Sequence, residues 1–154
     1  MADHETADFA ESINAAMKDG WMAAMGIRLV RATRDEVVAE LEVGPSHHQA
    51  YGIVHGGVHA GLIETIASVG AALDAMPHGR SVVGLENHTS FLRAVRGGKL
   101  RAVAKPLARG RRSQVWEGSV YDAEGRLAAS GRVRLLVLEP DAEVAGSKVG
   151  LQER

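Results

Sequence analysis
A glutamine, a His-Gly-Gly, a carboxylate and a hydroxyl fall within one stretch, Gln49-Ala-Tyr-Gly-Ile-Val-His55-Gly56-Gly57-Val-His59-Ala-Gly-Leu-Ile-Glu64-Thr-Ile-Ala-Ser68. After Gly57 the apolar positions Val58, Leu62, Ile66, Val69, Leu73 and Met76 recur every four or three residues, the period of a helix. Glu64 and Ser68, one turn apart, fall on the other side of that stripe, among Gly57, Ala60, Gly61 and Ala71. A carboxylate enclosed by small residues can act as a base or as a nucleophile. The plainer alternative is a helix edge that reaches water. His55-Gly56-Gly57 stands where this helix begins. Unpaired N–H groups there, helped by the helix dipole, can bind a developing oxyanion, and glycine lets a carbonyl come close. A simple helix start, with glycines chosen for backbone freedom, would look the same. Ser68 can serve the site or bond back to a helix carbonyl. His55 and His59 are one turn apart, but no third ligand follows at a recognisable spacing and no His-Glu-x-x-His is present, so no metal is expected.

The elements that must position these groups can be read from periodicity. Phe9, Ile13, Ala16 and Met17 step helically, which predicts a helix over about 7–18 that stops near Gly20. Trp21, Met22 and Met25 follow without a clear period and suit a short turn over the core or a pocket. Strands are predicted at about 27–33 and 36–43, where Val37, Ala39, Leu41 and Val43 alternate with other residues. Gly-Pro-Ser-His-His-Gln-Ala-Tyr-Gly (44–52) reads as a loop, and the central helix runs over about 56–76. Beyond Pro77 and Gly79 the pattern changes to strands at about 80–92, 99–108, 112–122 and 126–138. Asp-Ala-Glu-Gly (122–125) between the last two is a hairpin signal. Residues 1–8 and the polar run 139–154 are expected to be mobile or disordered. The sum is one domain over 1–138 of α+β class, an antiparallel sheet wrapped around one long helix.

Bulk composition narrows the function classes. The 154 residues carry 45% apolar and 24% charged residues, the balance of a globular domain with a real core. A net charge of −1 with no basic run gives no electrostatic case for nucleic acid or a membrane surface. Cysteine is absent, which removes disulfides, thiolate catalysis and zinc–thiolate sites. The acidic start Met-Ala-Asp-His-Glu lacks a signal-peptide core, and Glu64 and Asp74 break the longest apolar run, so a cytoplasmic protein without a membrane span is expected. No Walker A loop or Gly-x-Gly-x-x-Gly fingerprint supports a nucleoside triphosphate or NAD.

The ordered set Gln, five residues, His-Gly-Gly, seven residues, Glu, three residues, Ser resembles the hotdog-fold acyl-CoA thioesterases. Within them it is similar to the PaaI-like branch that includes bacterial 4-hydroxybenzoyl-CoA and 1,4-dihydroxy-2-naphthoyl-CoA thioesterases. The likeness continues in Val-Val-Gly-Leu-Glu-Asn-His-Thr-Ser-Phe-Leu-Arg-Ala-Val-Arg-Gly-Gly (82–98), Lys-Pro-Leu-Ala-Arg-Gly-Arg-Arg-Ser-Gln-Val-Trp (105–116) and Asp-Ala-Glu-Gly-Arg-Leu (122–127), so it covers residues 20 to 138. Ala94 departs from the Pro that many relatives carry there.

The resemblance implies that Glu64 is the catalytic carboxylate, as nucleophile on the thioester or as base for water. It implies that the Gly56 N–H polarises the thioester carbonyl with His55 supporting the loop, that Gln49 orients the thioester or water, and that Ser68 bonds the water or substrate. Gly84, Ser90, Phe91, Arg93, Arg109, Gly110, Arg111, Arg112 and Ser113 match segments that line the CoA channel. Arg forks there suit a phosphorylated nucleotide, although each arginine taken singly could be a solvated loop residue.

No cofactor beyond the CoA of the substrate is expected. Self-association into dimers with shared sites, doubled to a tetramer, is expected. Two pointers to the acyl group, aryl in Asn-His-Thr-Ser-Phe and dihydroxynaphthoyl in Gly-Arg-Arg-Ser-Gln-Val-Trp, leave its identity open. The rival classes are a non-catalytic acyl-CoA-binding hotdog protein and a hotdog dehydratase. A dehydratase would carry a His–Asp or His–Glu pair in a different motif, and a pure binder would not need Gln49, Glu64 and Ser68 together.

Overall fold
The computed structural model describes residues 6–150. Two short helices, α1 (Ala10–Ala16) and α2 (Gly20–Met25), precede strands β1 (Arg28–Ala32) and β2 (Val37–Glu42). A 3₁₀ turn at Pro45–His47 leads to the long helix α3 (Gly56–Ala75), which tightens into a second 3₁₀ turn at Met76–His78. Strands β3 (Ser81–Phe91), β4 (Lys99–Arg109), β5 (Ser113–Tyr121) and β6 (Leu127–Leu138) complete one sheet in the order β1-β2-β4-β5-β6-β3, antiparallel throughout. The α+β hotdog architecture and the four long strands agree with the sequence reading to within two residues at each end.

The sheet has one buried face, and α3 lies on it against β2 through β6. In β5 the alternation is strict: Gln114, Trp116, Gly118 and Val120 point inward. Gln114 is a polar residue in this core and is fully used. Its side-chain nitrogen donates to Asp74 Oδ2 at 3.0 Å and its oxygen accepts Trp116 Nε1–H at 2.8 Å, tying strand to helix. The helix buries Val58, His59, Leu62, Ile63, Ile66, Ala67, Gly70 and Ala71. That face is rotated from the one expected, since Ala71 is in the core and Met76 is 52% exposed beyond the helix end. Apolar and small residues on every side of α3 leave its orientation to tertiary packing. Small residues bring the axis close to the sheet: the indole of Trp116 occupies the place a Cβ on Gly70 would take, and a Cβ on Gly118 would stand 2.7 Å from Ile63. The 23 residues Gly56–His78, with a mean hydropathy of 1.2, could span a bilayer by length and composition; a helix wrapped by a sheet needs the same composition.

The two sheet edges are treated differently. The outer edge of β1 is strapped by the N-terminal segment. Phe9 N–H donates to Ala32 O, Asp8 accepts Ala32 N–H, and the Asn14 amide exchanges two bonds of 2.8 and 2.9 Å with the backbone of Leu29. At the other edge β3 pairs with β6 on one side and has no strand on its outer side among the described residues, and Leu85 on it is 50% exposed. In the C-terminal run expected to be disordered, Glu143–Val144 and Ser147–Lys148 form a small hairpin, with Ala145 and Gly146 at φ of 52° and 77° supplying the tight turn. Expectations for residues 1–5 and 151–154 lie outside the described residues.

Candidate active site
The loop before α3 is fixed from several directions. His47 Nδ1 accepts the Gly44 N–H and its Nε2 donates to Met25 O, both at 2.8 Å. His48 Nε2 donates to Arg96 O at 2.7 Å, and Arg96 donates back to Tyr51 O at 3.1 Å. Gln49 turns into its own loop, where its side-chain oxygen accepts the Tyr51 N–H. His55 caps α3, with Nδ1 accepting the Gly57 N–H at 2.8 Å. His55 therefore serves the helix end directly, and the Gly56 N–H has no acceptor among the described residues. The Phe91 ring lies against Gly56, where a Cβ would stand 2.7 Å from two of its carbons. His59, one turn on, is buried with Nδ1 unpartnered, and burial lowers its pKa below the usual 6.5. Among the described residues no three His, Asp or Glu side chains converge to hold a metal ion.

Glu64 is half-buried on α3, facing the edge strand β3. Its Oε2 accepts the Asn87 side-chain N–H at 2.9 Å, and its Oε1 lies 2.5 Å from the place of a Cβ on Gly84. The Ser68 hydroxyl, one turn further, makes no hydrogen bond among the described residues, unlike that of Thr65, which bonds back to Gly61 O at 2.8 Å. Gly61 admits the Trp21 indole, since a Cβ there would stand 2.6 Å from it. From Trp21 an apolar groove of about 1490 Å³ runs beside α3 between Ile13, Met17, Val69, Leu73 and Met76.

The residues expected to hold CoA separate into groups. Gly84 and Phe91 sit beside Glu64 and Gly56. Ser90 and Arg93 follow at the exposed end of β3. Arg109 to Ser113 form the β4–β5 turn near Asp74, eighteen residues along α3 from Gly56 or about 27 Å of helix. Arg109 is held in a carboxylate clasp: it donates to Asp35 at 2.6 Å and to Arg34 O, and lies 3.9 Å from Asp74. That bond from Arg109 holds the Asp35 carboxyl below its usual value. Gly110 N–H donates to Ser113 O at 2.8 Å, closing the turn. Arg111 is 77% exposed and 3.7 Å from Glu139, and Arg112 is exposed with no ion-pair partner among the described residues.

Asn87 and Thr89 are noted in the sequence only within the Asn-His-Thr-Ser-Phe segment and given no role of their own; in the structure Asn87 bonds Glu64 and Thr89 bonds Asn87. Val82 and Gly84 but also Asn87, Thr89 and Phe91 carry inward contacts, a change of parity along β3 that no local pattern in the sequence announces.

Comparison with known proteins gives concordant matches. The sequence model of the thioesterase superfamily matches residues 51–129. The chain is similar to the proofreading thioesterase EntH of Cronobacter turicensis, with 37% identity over 128 residues, 83% of this chain and 93% of that one. It is 40% identical to the solved Rv1847 of Mycobacterium tuberculosis, at a TM-score of 0.75 over 77% of this chain and 95% of that one. The thioesterase HI1161 of Haemophilus influenzae superimposes at a TM-score of 0.80 with 33% identity, over 85% of this chain and 91% of that one.

Proposed function
The chain belongs to the thioesterase superfamily, and on that premise we propose that it hydrolyses acyl-CoA thioesters with Glu64 as the reacting carboxylate. The observation that carries this reading is the pairing of a half-buried, hydrogen-bonded Glu64 with a Gly56 N–H at the start of the same helix that has no acceptor among the described residues. In acyl transfer the carbonyl oxygen gains charge as the carbon is attacked, and an N–H at a helix N-terminus, with its dipole, stabilises that charge. Glu64 either attacks the thioester carbon itself or takes the proton from a water that does. Both routes expel the CoA thiolate, which takes up a proton. Direct attack first leaves an anhydride between the acyl group and Glu64, which a water then hydrolyses to free the carboxylate, and both routes end in a carboxylic acid. Ser68 is free to bond the water or the substrate.

One chain does not supply the whole site. Gly56 and Glu64 are eight residues apart, about 12 Å along the helix, whereas one carbonyl must meet both within roughly 3 Å. A second copy supplies the missing half when its α3 runs antiparallel, so that its Glu64 approaches this chain's Gly56. The uncovered β3 edge, next to Glu64, is the natural place for the two copies to pair. Such pairing would also bring one chain's β4–β5 turn toward the other's α3 start, placing the free guanidinium of Arg112 where the nucleotide end of CoA leaves the site. The compact or aromatic acyl group is proposed from the likeness of the segment Asn87 to Phe91 to aryl-CoA thioesterases. The apolar groove beside Trp21 and Val69 supports an apolar group and sets no narrow limit on its size.

The reading is tested by following free thiol release from benzoyl-, 4-hydroxybenzoyl-, hexanoyl- and decanoyl-CoA with the wild-type protein and Glu64→Ala. Turnover of at least one ester and a loss on the order of 10²-fold in the variant are expected. Release of no thiol by the wild type, or equal rates for the two proteins, would contradict it.

A further inference from the structure
Gly84 and Asn87 both touch Glu64, yet they are three residues apart on one strand. In a regular strand, residues separated by an odd number point to opposite faces. A β-bulge resolves the conflict. The register with β6 runs Gly84↔Leu135 and then Glu86↔Arg134, so Leu85 is an extra residue that reverses the parity of everything after it. Beyond the bulge Asn87 faces the helix, while Glu86 turns outward to pair with Arg134 at 3.2 Å.

The amide of Asn87 has a single workable orientation. Its nitrogen stands 2.9 Å from Glu64 Oε2 and 3.0 Å from Ala60 O, the carbonyl one turn earlier on α3. Both partners only accept, so the side chain must present its two N–H groups to them. The Thr89 hydroxyl donates to Asn87 Oδ1 at 2.7 Å and anchors the other end of the amide. Rotating the amide would set an oxygen against two oxygens, Glu64 Oε2 and Ala60 O. On its other side the Glu64 carboxylate meets Gly84, whose missing Cβ leaves room for Oε1. A long, flexible side chain is thereby held at one oxygen and confined at the other, with the lone pairs of Oε1 left for chemistry.

We infer that Asn87, oriented by Thr89, is a positioning residue that fixes the Glu64 carboxylate in its attacking pose, an inference that rests on the proposed role of Glu64. Asn87 is exposed on an edge strand, so its contact with Glu64 adds little to the hydrophobic core. Its value is pre-organisation: a carboxylate free to swing spends most of its time out of reach of the carbonyl.

The test measures kcat, KM and thermal midpoint for the wild type, Asn87→Leu, Thr89→Val, Thr89→Ser and Glu64→Ala. The substrate is whichever of benzoyl-CoA and hexanoyl-CoA the wild type hydrolyses faster. Asn87→Leu is expected to lose roughly 10- to 100-fold in kcat with KM changed by no more than about twofold and the thermal midpoint retained. Thr89→Val is expected to lose kcat in the same way, and Thr89→Ser, which keeps the hydroxyl, to regain it. An unchanged kcat in Asn87→Leu beside an inactive Glu64→Ala would overturn the positioning role and leave Glu64 standing. A fully active Glu64→Ala would overturn both. If Asn87→Leu does not fold, the Thr89 pair decides: equal kcat for Val and Ser would overturn the proposal.

Discussion

The ring of Phe91 and the backbone of Gly56 are in contact so close that a Cβ on the glycine would stand 2.7 Å from two ring carbons. The contact joins the exposed end of β3 to the first residue of α3, where the Gly56 N–H has no acceptor among the described residues. Gly56→Ala must therefore push the ring aside. Phe91 is 59% exposed, so it can move without disturbing the core. Gly56→Ala is expected to lower kcat/KM for acyl-CoA about tenfold with little change in thermal midpoint, and Gly56→Ala/Phe91→Ala to recover part of that loss. A double-mutant cycle should give a coupling of about 1 kcal/mol. Strictly additive losses would mean that the ring and the glycine act independently.

The Trp116 indole, fully buried, fills the space a side chain at Gly70 would need. Here the neighbour cannot give way, because Trp116 Nε1 is bonded to Gln114 and the ring is enclosed by the core. Gly70→Ala is expected to destabilise the fold by about 1–3 kcal/mol despite the better helix propensity of alanine. Chemical denaturation followed by tryptophan fluorescence measures this directly, and an unchanged or raised midpoint would contradict the packing described.

Much of this arrangement was legible in the sequence because its signals are local. The alternation in Val37–Val43, the Asp122–Gly125 turn and the step from Gly57 to Leu73 each lie within a few residues. What escaped depends on distant partners. The orientation of α3 is set by Trp116 and Ile63 meeting glycines on the opposing element, and a helix with apolar or small residues all round does not announce which side does so. Asn87 and Thr89 were hidden by the bulge at Leu85, which inverts the inward set in mid-strand with no composition cue. Arg109 reads as a free loop arginine, yet Asp35, 74 residues earlier, claims it. The hairpin at Glu143–Lys148 is two residues per strand, too short for any period.

His59 links the same helix start to pH. Burial holds its ring below the ordinary 6.5, so the folded protein declines a proton that the unfolded chain accepts. The contribution is fully present above 6.5 and is lost as the pH falls below it toward the lower folded value. The urea midpoint of the wild type should therefore drop between about pH 7 and pH 5 more steeply than that of His59→Leu. Parallel curves for the two proteins would show that His59 does not titrate with unfolding.

We propose that each working site joins Gly56 of one chain to Glu64 of another. Gly56→Pro removes the N–H at a position where proline suits a helix, and His55 before it already has φ −63° and ψ 135°, the extended backbone that a following proline prefers. Glu64→Ala removes the carboxylate. The direct measurement is acyl-CoA hydrolysis after the two variants are mixed in equal amounts, denatured and refolded together. Random pairing makes half of the dimers mixed, each with one intact site, so activity should rise from near zero to about a quarter of the wild-type value. No activity in the mixture, with mixed dimers demonstrated by mass, would place both groups in one chain and contradict the account.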